Sequence, residues 1–232
     1  MIAELAAALA FAAHPVVSLS VSPARVTLTS GGLQTLRITN SGAAPVVLNA
    51  ATAGYTLDLH GRARVVQGRS ARSWLAVRPG RLAIPAGGSA SLVVSAARPH
   101  GARPGEHDAL VLLTSVPRGA GGVAVRMRVG VVVAVHVPGA IVRRLEIRGL
   151  RPRRPGLLEL ALVNRGDITE RLSAGLVLSR AGRPLARLRA AVREVLPRTA
   201  ALVELRYPAR LHGWIAAIVD VSGARRSFLL HL

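Results

Sequence analysis

The 232-residue sequence contains no cysteine and no lysine, and aromatic residues make up only 3% of it. Without cysteine, neither disulfide bridges nor thiolate metal sites are available. The scarcity of rings argues against a nucleic-acid binder that stacks bases on a sheet surface. Hydrophobic residues still make up 50% of the chain. Its cores must therefore be built from Val, Leu, Ile and Ala, a supply that suits β-strands.

The formal net charge is +20, and arginine carries all the positive charge. Neutralisation of phosphates needs cations, so a nucleic-acid or other polyanion binder would have such a charge. The arginines are scattered through the whole sequence, however, as expected from the codon bias of a GC-rich genome. Polyanion binding is therefore a second alternative among the functional hypotheses, and nucleic acid is not an expected partner.

Residues 1–14 form an apolar N-terminal segment that resembles an export signal. Ala10-Phe11-Ala12 has the small-x-small form of a signal-peptidase site, although Glu4 stands where a basic residue is expected. The alternative is a short lead-in helix. No later window has the roughly 20 uninterrupted apolar residues of a membrane span. These features predict an extracellular or cell-envelope protein without a transmembrane segment.

From residue 16 onward apolar residues alternate with polar ones, and turn residues recur about every 8 to 12 positions, as in β-sandwiches. The length allows two domains of about 100 residues each. We predict an all-β protein made of two tandem immunoglobulin-like β-sandwiches, residues 15–138 and 139–232. Trp74 and Trp214, one in each, are predicted to anchor the two cores.

An internal repeat supports this division. The segment GLQTLRITNSG, residues 32–42, recurs as GLLELALVNRG, residues 156–166, with five identities in register. The two copies are predicted to form equivalent strands followed by equivalent turns. Gly42 and Gly166 are predicted to adopt positive φ in these turns.

The segment 123–137 is the most regular predicted strand, because every odd position from Val123 to Val137 is apolar. At about 3.3 Å per residue it would be near 50 Å long, which predicts a bulge or bend at Gly130. It could also pair with a strand of another protein. The predicted pairing edge consists of Val123, Val125, Met127 and Val129.

Six arginines within twelve residues form the Arg segment. Guanidinium groups bind phosphate and carboxylate in a bidentate manner, so a dense set could hold an anionic polymer. The predicted polyanion-binding residues are Arg143, Arg144, Arg148, Arg151, Arg153 and Arg154.

Two polar motifs are candidate functional sites. Glu106, His107 and Asp108 are consecutive, and neighbours on a strand point to opposite faces, so a polar turn is a better interpretation than a metal or acid–base site. Arg165-Gly166-Asp167 matches an integrin-binding tripeptide, but its place in the repeat predicts a turn. Since no nucleophile, phosphate-binding loop or paired carboxylates in a cleft-like context could be assembled, we predict no enzymatic activity, cofactor, metal or small-molecule substrate.

Several segments together resemble a known family. VSPARVTLTSGGLQTLRITNSGAAPVVL, SWLAVRPGRLAIPAGGSASLVVSAARP, RPGEHDALVLLTS and VAVRMRVGVVVAVHVPG occur in the order found in WxL-interacting cell-surface proteins and their actinobacterial relatives. LLELALVNRGDITERL is similar to the start of their second domain. The resemblance implies an exported pair of immunoglobulin-like domains, the first associated with peptidoglycan and the second with a partner surface.

The first functional hypothesis is therefore a non-enzymatic, exported protein that binds the cell wall or an envelope protein. The alternative is a pilus-chaperone-like protein that lends the apolar strand of residues 123–137 to a subunit. The sequence leaves open the ligand, the mode of anchoring and the oligomeric state.

Overall fold

The protein consists of two β-sandwiches, and the computed structural model describes residues 18–67, 71–117 and 126–232. These residues contain nineteen strands, one 3-10 turn at Ala71–Trp74 and no α-helix. The predicted fold, two tandem immunoglobulin-like sandwiches, is confirmed. The predicted export segment, residues 1–14, lies outside the described residues. None of the described residues belongs to a helix long and apolar enough for a membrane crossing.

The first sandwich contains ten strands, which alternate buried and exposed side chains as period-two patterning requires. They are β1 (Leu19–Ser22), β2 (Arg25–Thr29), β3 (Leu33–Asn40), β4 (Val46–Leu57), β5 (Ala63–Val66), β6 (Leu75–Arg78), β7 (Arg81–Ile84), β8 (Ser89–Ala96), β9 (Gly105–Ser115) and β10 (Arg128–Val137). One sheet has the order β1-β3-β8-β6, and the other has the order β2-β10-β9-β4-β5 with β7 also paired to β4. Aliphatic side chains from both sheets form its core.

The second sandwich contains the remaining nine strands. They are β11 (Leu145–Arg154), β12 (Leu157–Asn164), β13 (Glu170–Leu172), β14 (Ala174–Arg180), β15 (Arg183–Arg189), β16 (Arg193–Val195), β17 (Ala200–Arg206), β18 (Trp214–Val221) and β19 (Ala224–His231). They form sheets ordered β11-β12-β17, β13-β16 and β15-β14-β18-β19. A second cluster of buried aliphatic residues lies among them. The boundary between residues 138 and 139 stays a prediction.

The repeat has the same local structure in both copies. Asn40 ends β3 and Asn164 ends β12, and both are fully buried. Asn40 Nδ2 donates to Ala44 O at 2.8 Å and to Pro85 O at 3.0 Å. Asn164 Nδ2 donates to Ile168 O at 2.8 Å and to Val195 O at 3.0 Å. The predicted equivalence of the two units is confirmed at the level of hydrogen bonds.

Each asparagine also accepts a bond from the glycine two positions later. Gly42 N donates to Asn40 Oδ1 at 3.1 Å, and Gly166 N donates to Asn164 Oδ1 at 2.8 Å. The prediction of positive φ at these glycines is wrong, because neither is among the positive-φ residues. Gly166 is required for space instead, since an added Cβ would lie 2.5 Å from Val142 O.

Two further predictions about side chains differ from the structure. The register between β10 and β9 is continuous from Arg128 to Val137, so Gly130 makes no bulge. Trp74 packs against the first core, but Trp214 is 62% exposed. The strand β18 places Trp214 on its outward side, where period two alone cannot distinguish inward from outward residues.

Candidate functional site

Part of strand β10 is an unpaired sheet edge. Its second half, Val132–His136, pairs in parallel with Arg25–Thr29 of β2. The preceding strand β1 pairs with β3 in the opposite sheet, so the chain crosses between sheets at Pro23–Ala24. Among the described residues, nothing pairs with Arg128–Val131 on this side. We call this stretch the free edge of β10.

The backbone of the free edge presents hydrogen-bonding groups outward. Val132 N donates to Ala24 O at 3.2 Å, which fixes the direction of that peptide group. Because alternate residues of a strand direct their backbone groups to the same side, the N–H groups of Arg128 and Gly130 also point away from β9. The outer sheet surface beside them is apolar, with half-buried Leu112 and Val132 next to Gly130.

The predicted pairing edge is placed only in part. Val123 and Val125 lie outside the described residues. Met127 precedes β10 and contacts the neighbouring strand, since its N–H donates to Ser115 Oγ at 2.8 Å. Val129 lies within the free edge and is half-buried. Within the described residues, Arg128–Val131 is therefore a sheet edge, whereas Val132–His136 has strands on both sides.

Charged side chains join the two sandwiches. Arg25 Nη1 donates to Glu194 Oε2 of the second sandwich at 2.5 Å. Arg25 Nη2 lies 3.3 Å from Glu106 Oε1 and 3.9 Å from Asp108 Oδ1. Glu106 Oε2 accepts from Thr169 N of the second sandwich at 2.7 Å. One arginine thus holds three carboxylates from both sides, and we call these four charged residues the junction cluster.

Within the junction cluster, Asp108 has the most strongly shifted pKa. Its side chain is 6% exposed, and its Oδ1 has no hydrogen-bond partner among the described residues. Burial, together with the charges of Glu106 and Glu194, raises the pKa of the Asp108 carboxyl to about 7, although the charge of Arg25 opposes the shift. Burial likewise raises the pKa of the neighbouring Tyr55 hydroxyl, and the charge of Asp108 adds to that shift.

The interpretation of Glu106-His107-Asp108 as a polar turn is wrong, because all three belong to β9. Glu106 and Asp108 do share one face, and His107 points away and stacks on Trp74 with ring centroids 4.6 Å apart. The sequence offered no signal for their partners, since Arg25 and Glu194 are 169 positions apart. Only the fold brings these carboxylates to the arginine.

The tripeptide Arg165-Gly166-Asp167 also belongs to the junction. Arg165 N donates to Arg144 O at 2.6 Å, and Asp167 N donates to Val142 O at 2.9 Å. On its other side Asp167 O accepts from Glu106 N at 2.7 Å. The predicted turn is present, and it binds both the first sandwich and residues 138–144, the stretch between β10 and β11 that we call the linker.

Apolar packing and a cleft complete the junction. Tyr55 and Leu110 of the first sandwich pack with Leu196 of the second. Beside them lies a cleft of about 720 Å³, lined in part by Trp74 and Asp108. No group of three or more potential metal ligands occurs among residues 18–67, 71–117 and 126–232. The lining carboxylates are engaged in holding the junction, so we assign this cleft no chemistry.

The Arg segment is largely ion-paired. Glu146 binds Arg144 and Arg148 at 3.1 and 3.3 Å. The buried Glu159 binds Arg151 and Arg153 at 2.6 and 3.3 Å. Arg143 pairs with Glu170 at 3.3 Å, whereas Arg154 has no ion pair within the described residues. These arginines remain more than half exposed, and polyanion binding by them stays a prediction.

Comparison with known proteins identifies the fold but no sequence relative. No family model matches the chain, and no curated protein matches it. The class 5 fimbriae chaperone CfaA has a similar structure, with a TM-score of 0.55 and 12% identity over 93% of this chain and 100% of that one. A chain of the Salmonella enterica complex of the SafA pilin with the SafB chaperone gives a TM-score of 0.53 and 16% identity, over 95% and 99% of the two chains.

A third similar structure is a chain of the complex between the chaperone CsuC and the tip subunit CsuE from the archaic chaperone-usher Csu pili of Acinetobacter baumannii. The TM-score is 0.51 and the identity 15%, covering 92% of this chain and 98% of that one. The predicted resemblance to WxL-interacting proteins is wrong, since the similar structures are fimbrial chaperones. Cell-wall binding likewise receives no support. At these identities the likeness establishes one thing, that the chain has the two-sandwich fold of those chaperones.

Proposed function

We propose that the chain is a non-enzymatic, exported envelope protein that holds a partner protein by strand pairing, in the manner of a pilus chaperone. The free edge of β10 carries this proposal. Its outward N–H and C=O groups at Arg128 and Gly130 need partners, and an extended segment of another protein supplies them in register. The adjoining apolar surface at Leu112 and Val132 would receive alternate side chains of that segment.

The comparisons support this proposal over cell-wall binding. Two of the similar structures are complexes of a chaperone with a pilin or with a tip subunit. We expect the partner to be another protein of the cell envelope. Arg25 could in principle bind a carboxylate of the partner protein, but three carboxylates of this chain already surround it. We therefore attribute the affinity for the partner to backbone pairing and apolar contacts.

Site-specific photo-crosslinking tests the proposal in the bacterium that produces the protein. A photoreactive phenylalanine analogue replaces Arg128 in one variant and the exposed Arg37, in the opposite sheet, in the control. We expect a crosslinked protein at position 128 and none at position 37. Equal crosslinking at both positions, or none at 128, would contradict the proposal.

Hydrogen exchange of the purified complex then tests strand pairing itself. Binding should slow exchange at the amides of Arg128 and Gly130, which point outward, and leave the amides of Val129 and Val131 nearly unchanged. Gly130→Pro removes one outward N–H and should weaken binding. Gly130→Ala is the matched control, because it keeps the N–H and its added Cβ would lie 3.6 Å from Leu110, an ordinary contact. Equal binding by both variants would exclude backbone pairing at this position.

A further inference from the structure

The second sandwich exposes an apolar strip on the outer face of the sheet β15-β14-β18-β19. Trp214 is 62% exposed and Leu229 is 68% exposed. Leu229 pairs directly with Ala216 of β18. Two positions further along β18, Ile218 also points outward, and it pairs with Val177 of β14. Alternate residues of these strands fill the core, so the strip is not a misplaced core face. It crosses three neighbouring strands and has no covering element among the described residues.

Arginines without ion pairs flank this strip. Arg187 and Arg189 of β15 point outward beside β14, and Arg225 of β19 lies at one end. None of the three has an ion pair within the described residues. Among the described side chains of these four strands, the carboxylate on this face is Asp220, opposite Arg225. In the Arg segment, by contrast, five of six arginines are paired with carboxylates. Those five arginines share the three carboxylates Glu146, Glu159 and Glu170, whereas the three arginines of the sheet face have no direct ion pair among the described residues.

We propose that this face docks on a membrane surface rich in anionic phospholipid. Trp214 and Leu229 would enter the headgroup boundary, where tryptophan places its apolar ring and its N–H in suitable surroundings. Arg187, Arg189 and Arg225 would contact lipid phosphates. The positive charge of the arginines favours an anionic surface. The two protruding apolar side chains favour a lipid bilayer, which they can enter.

The size of the face favours a membrane over a stable protein partner. Four strands of about eight residues offer roughly 400 Å² at the usual strand spacing and rise. A stable protein complex buries about 800 Å² on each partner. Peripheral membrane binding can be stable with a smaller contact area, because each arginine near an anionic surface raises the membrane affinity roughly fivefold.

Sedimentation with vesicles tests the proposal on the full chain. The vesicles contain phosphatidylcholine alone or with about a third phosphatidylglycerol, at physiological ionic strength, where screening over about 8 Å limits the effect of distant charges. We compare R187Q/R189Q/R225Q with the control R143Q/R144Q/R148Q, which removes the same charge from the Arg segment. The face variant should lose about 100-fold in affinity for the anionic vesicles and the control less than about fivefold.

Tryptophan fluorescence reports insertion independently of charge. Anionic vesicles should shift the emission to shorter wavelength in the native protein and in Trp74→Phe, but not in Trp214→Phe. Thermal melts check that each variant is folded. Equal loss of binding by the two arginine triples, equal binding to vesicles of phosphatidylcholine alone, or an unchanged shift in Trp214→Phe would overturn the proposal. So would binding to polyglutamate without binding to anionic vesicles, since that identifies an acidic polypeptide as the occupant.

Discussion

The two copies of the repeat share one local structure but serve different surroundings. In the first sandwich Asn40 closes a turn at an end of the sheet, where Ser41 is exposed. In the second sandwich Asn164 closes the same turn against the linker. There a Cβ added at Gly166 would lie 2.5 Å from Val142 O. Asp167 O also accepts a hydrogen bond from Glu106 N of the first sandwich.

This difference separates two kinds of information in the same eleven residues. The Asn-x-Gly pattern supplies the local hydrogen bonds of the turn, to groups two and four positions away, and the distant Pro85 O or Val195 O completes the set in each sandwich. Its use at the junction depends on Val142 and Glu106, which the pattern does not specify. A repeated sequence therefore predicts repeated structure without predicting repeated function.

The largest expected effect comes from removing the shared asparagine. Asn40→Ala and Asn164→Ala should each lower the free energy of unfolding of their sandwich by about 3 kcal/mol, because buried carbonyl and N–H groups lose their partners. Urea unfolding followed by far-UV circular dichroism measures this, because both sandwiches are built from strands. The exposed Asn49→Ala is the control and should change it by less than about 0.5 kcal/mol. A loss under 1 kcal/mol at either buried position would refute the equivalence.

The junction cluster should respond strongly to loss of its cation. Arg25→Gln leaves Glu106, Asp108 and Glu194 facing one another, so we expect a loss of about 2 kcal/mol in unfolding free energy. Arg64→Gln is the matched control, since Arg64 pairs with Asp58 at 3.1 Å but is 61% exposed. An exposed pair contributes about 0.5 kcal/mol or less. Similar losses in both variants would show that the junction cluster adds no more than a surface pair.

Crowding at the second copy of the turn predicts a smaller effect. Gly166→Ala places a Cβ against Val142 O and should cost about 1.5 kcal/mol, with faster hydrogen exchange at the amides of Asp167 and Glu106. Gly149→Ala is the control in the same sandwich, because its added Cβ has no heavy atom within 4 Å. Unchanged exchange at both amides in Gly166→Ala would show that this turn does not support the junction.

The smallest expected effect is a pH dependence that originates at Asp108. Its folded pKa of about 7 lies above the ordinary value of 3.8, so the proton is held more tightly in the folded state. The resulting stability is complete below pH 3.8 and is lost as the pH rises through 7. Between pH 6 and pH 8 the loss should be about 1 kcal/mol.

Urea titrations of the native protein and of Asp108→Asn at both pH values isolate this contribution. Asp108→Asn removes only this carboxyl, so the difference in unfolding free energy between the two proteins should change by the expected amount. A difference that is constant with pH would mean that Asp108 is already ionised at pH 6.

Much of the fold followed from local patterns. Alternation in segments such as Ser89–Ala96, where Leu92 and Val94 are buried, indicated strands. The in-register repeat indicated a second sandwich like the first. The predicted pairing edge of Val123, Val125, Met127 and Val129 stays a prediction, because a strand's own sequence does not reveal which part of it β2 will cover. The position of that cover depends on where the first strand crosses between the sheets.

The sequence by itself determined the all-β class, the local hydrogen bonds of the turns at Asn40 and Asn164, and the absence of cysteine chemistry, because each depends on residues close together in the chain or on composition. Tertiary structure alone decided that Arg25 meets Glu194, that Asp108 is buried beside them, and that Trp214 faces outward. Those outcomes depend on which strands become neighbours and which face of a sheet is covered. The burial of Asp108 and the pairing of Arg25 with Glu194 are properties of the assembled sandwiches, because Arg25 and Glu194 are 169 positions apart.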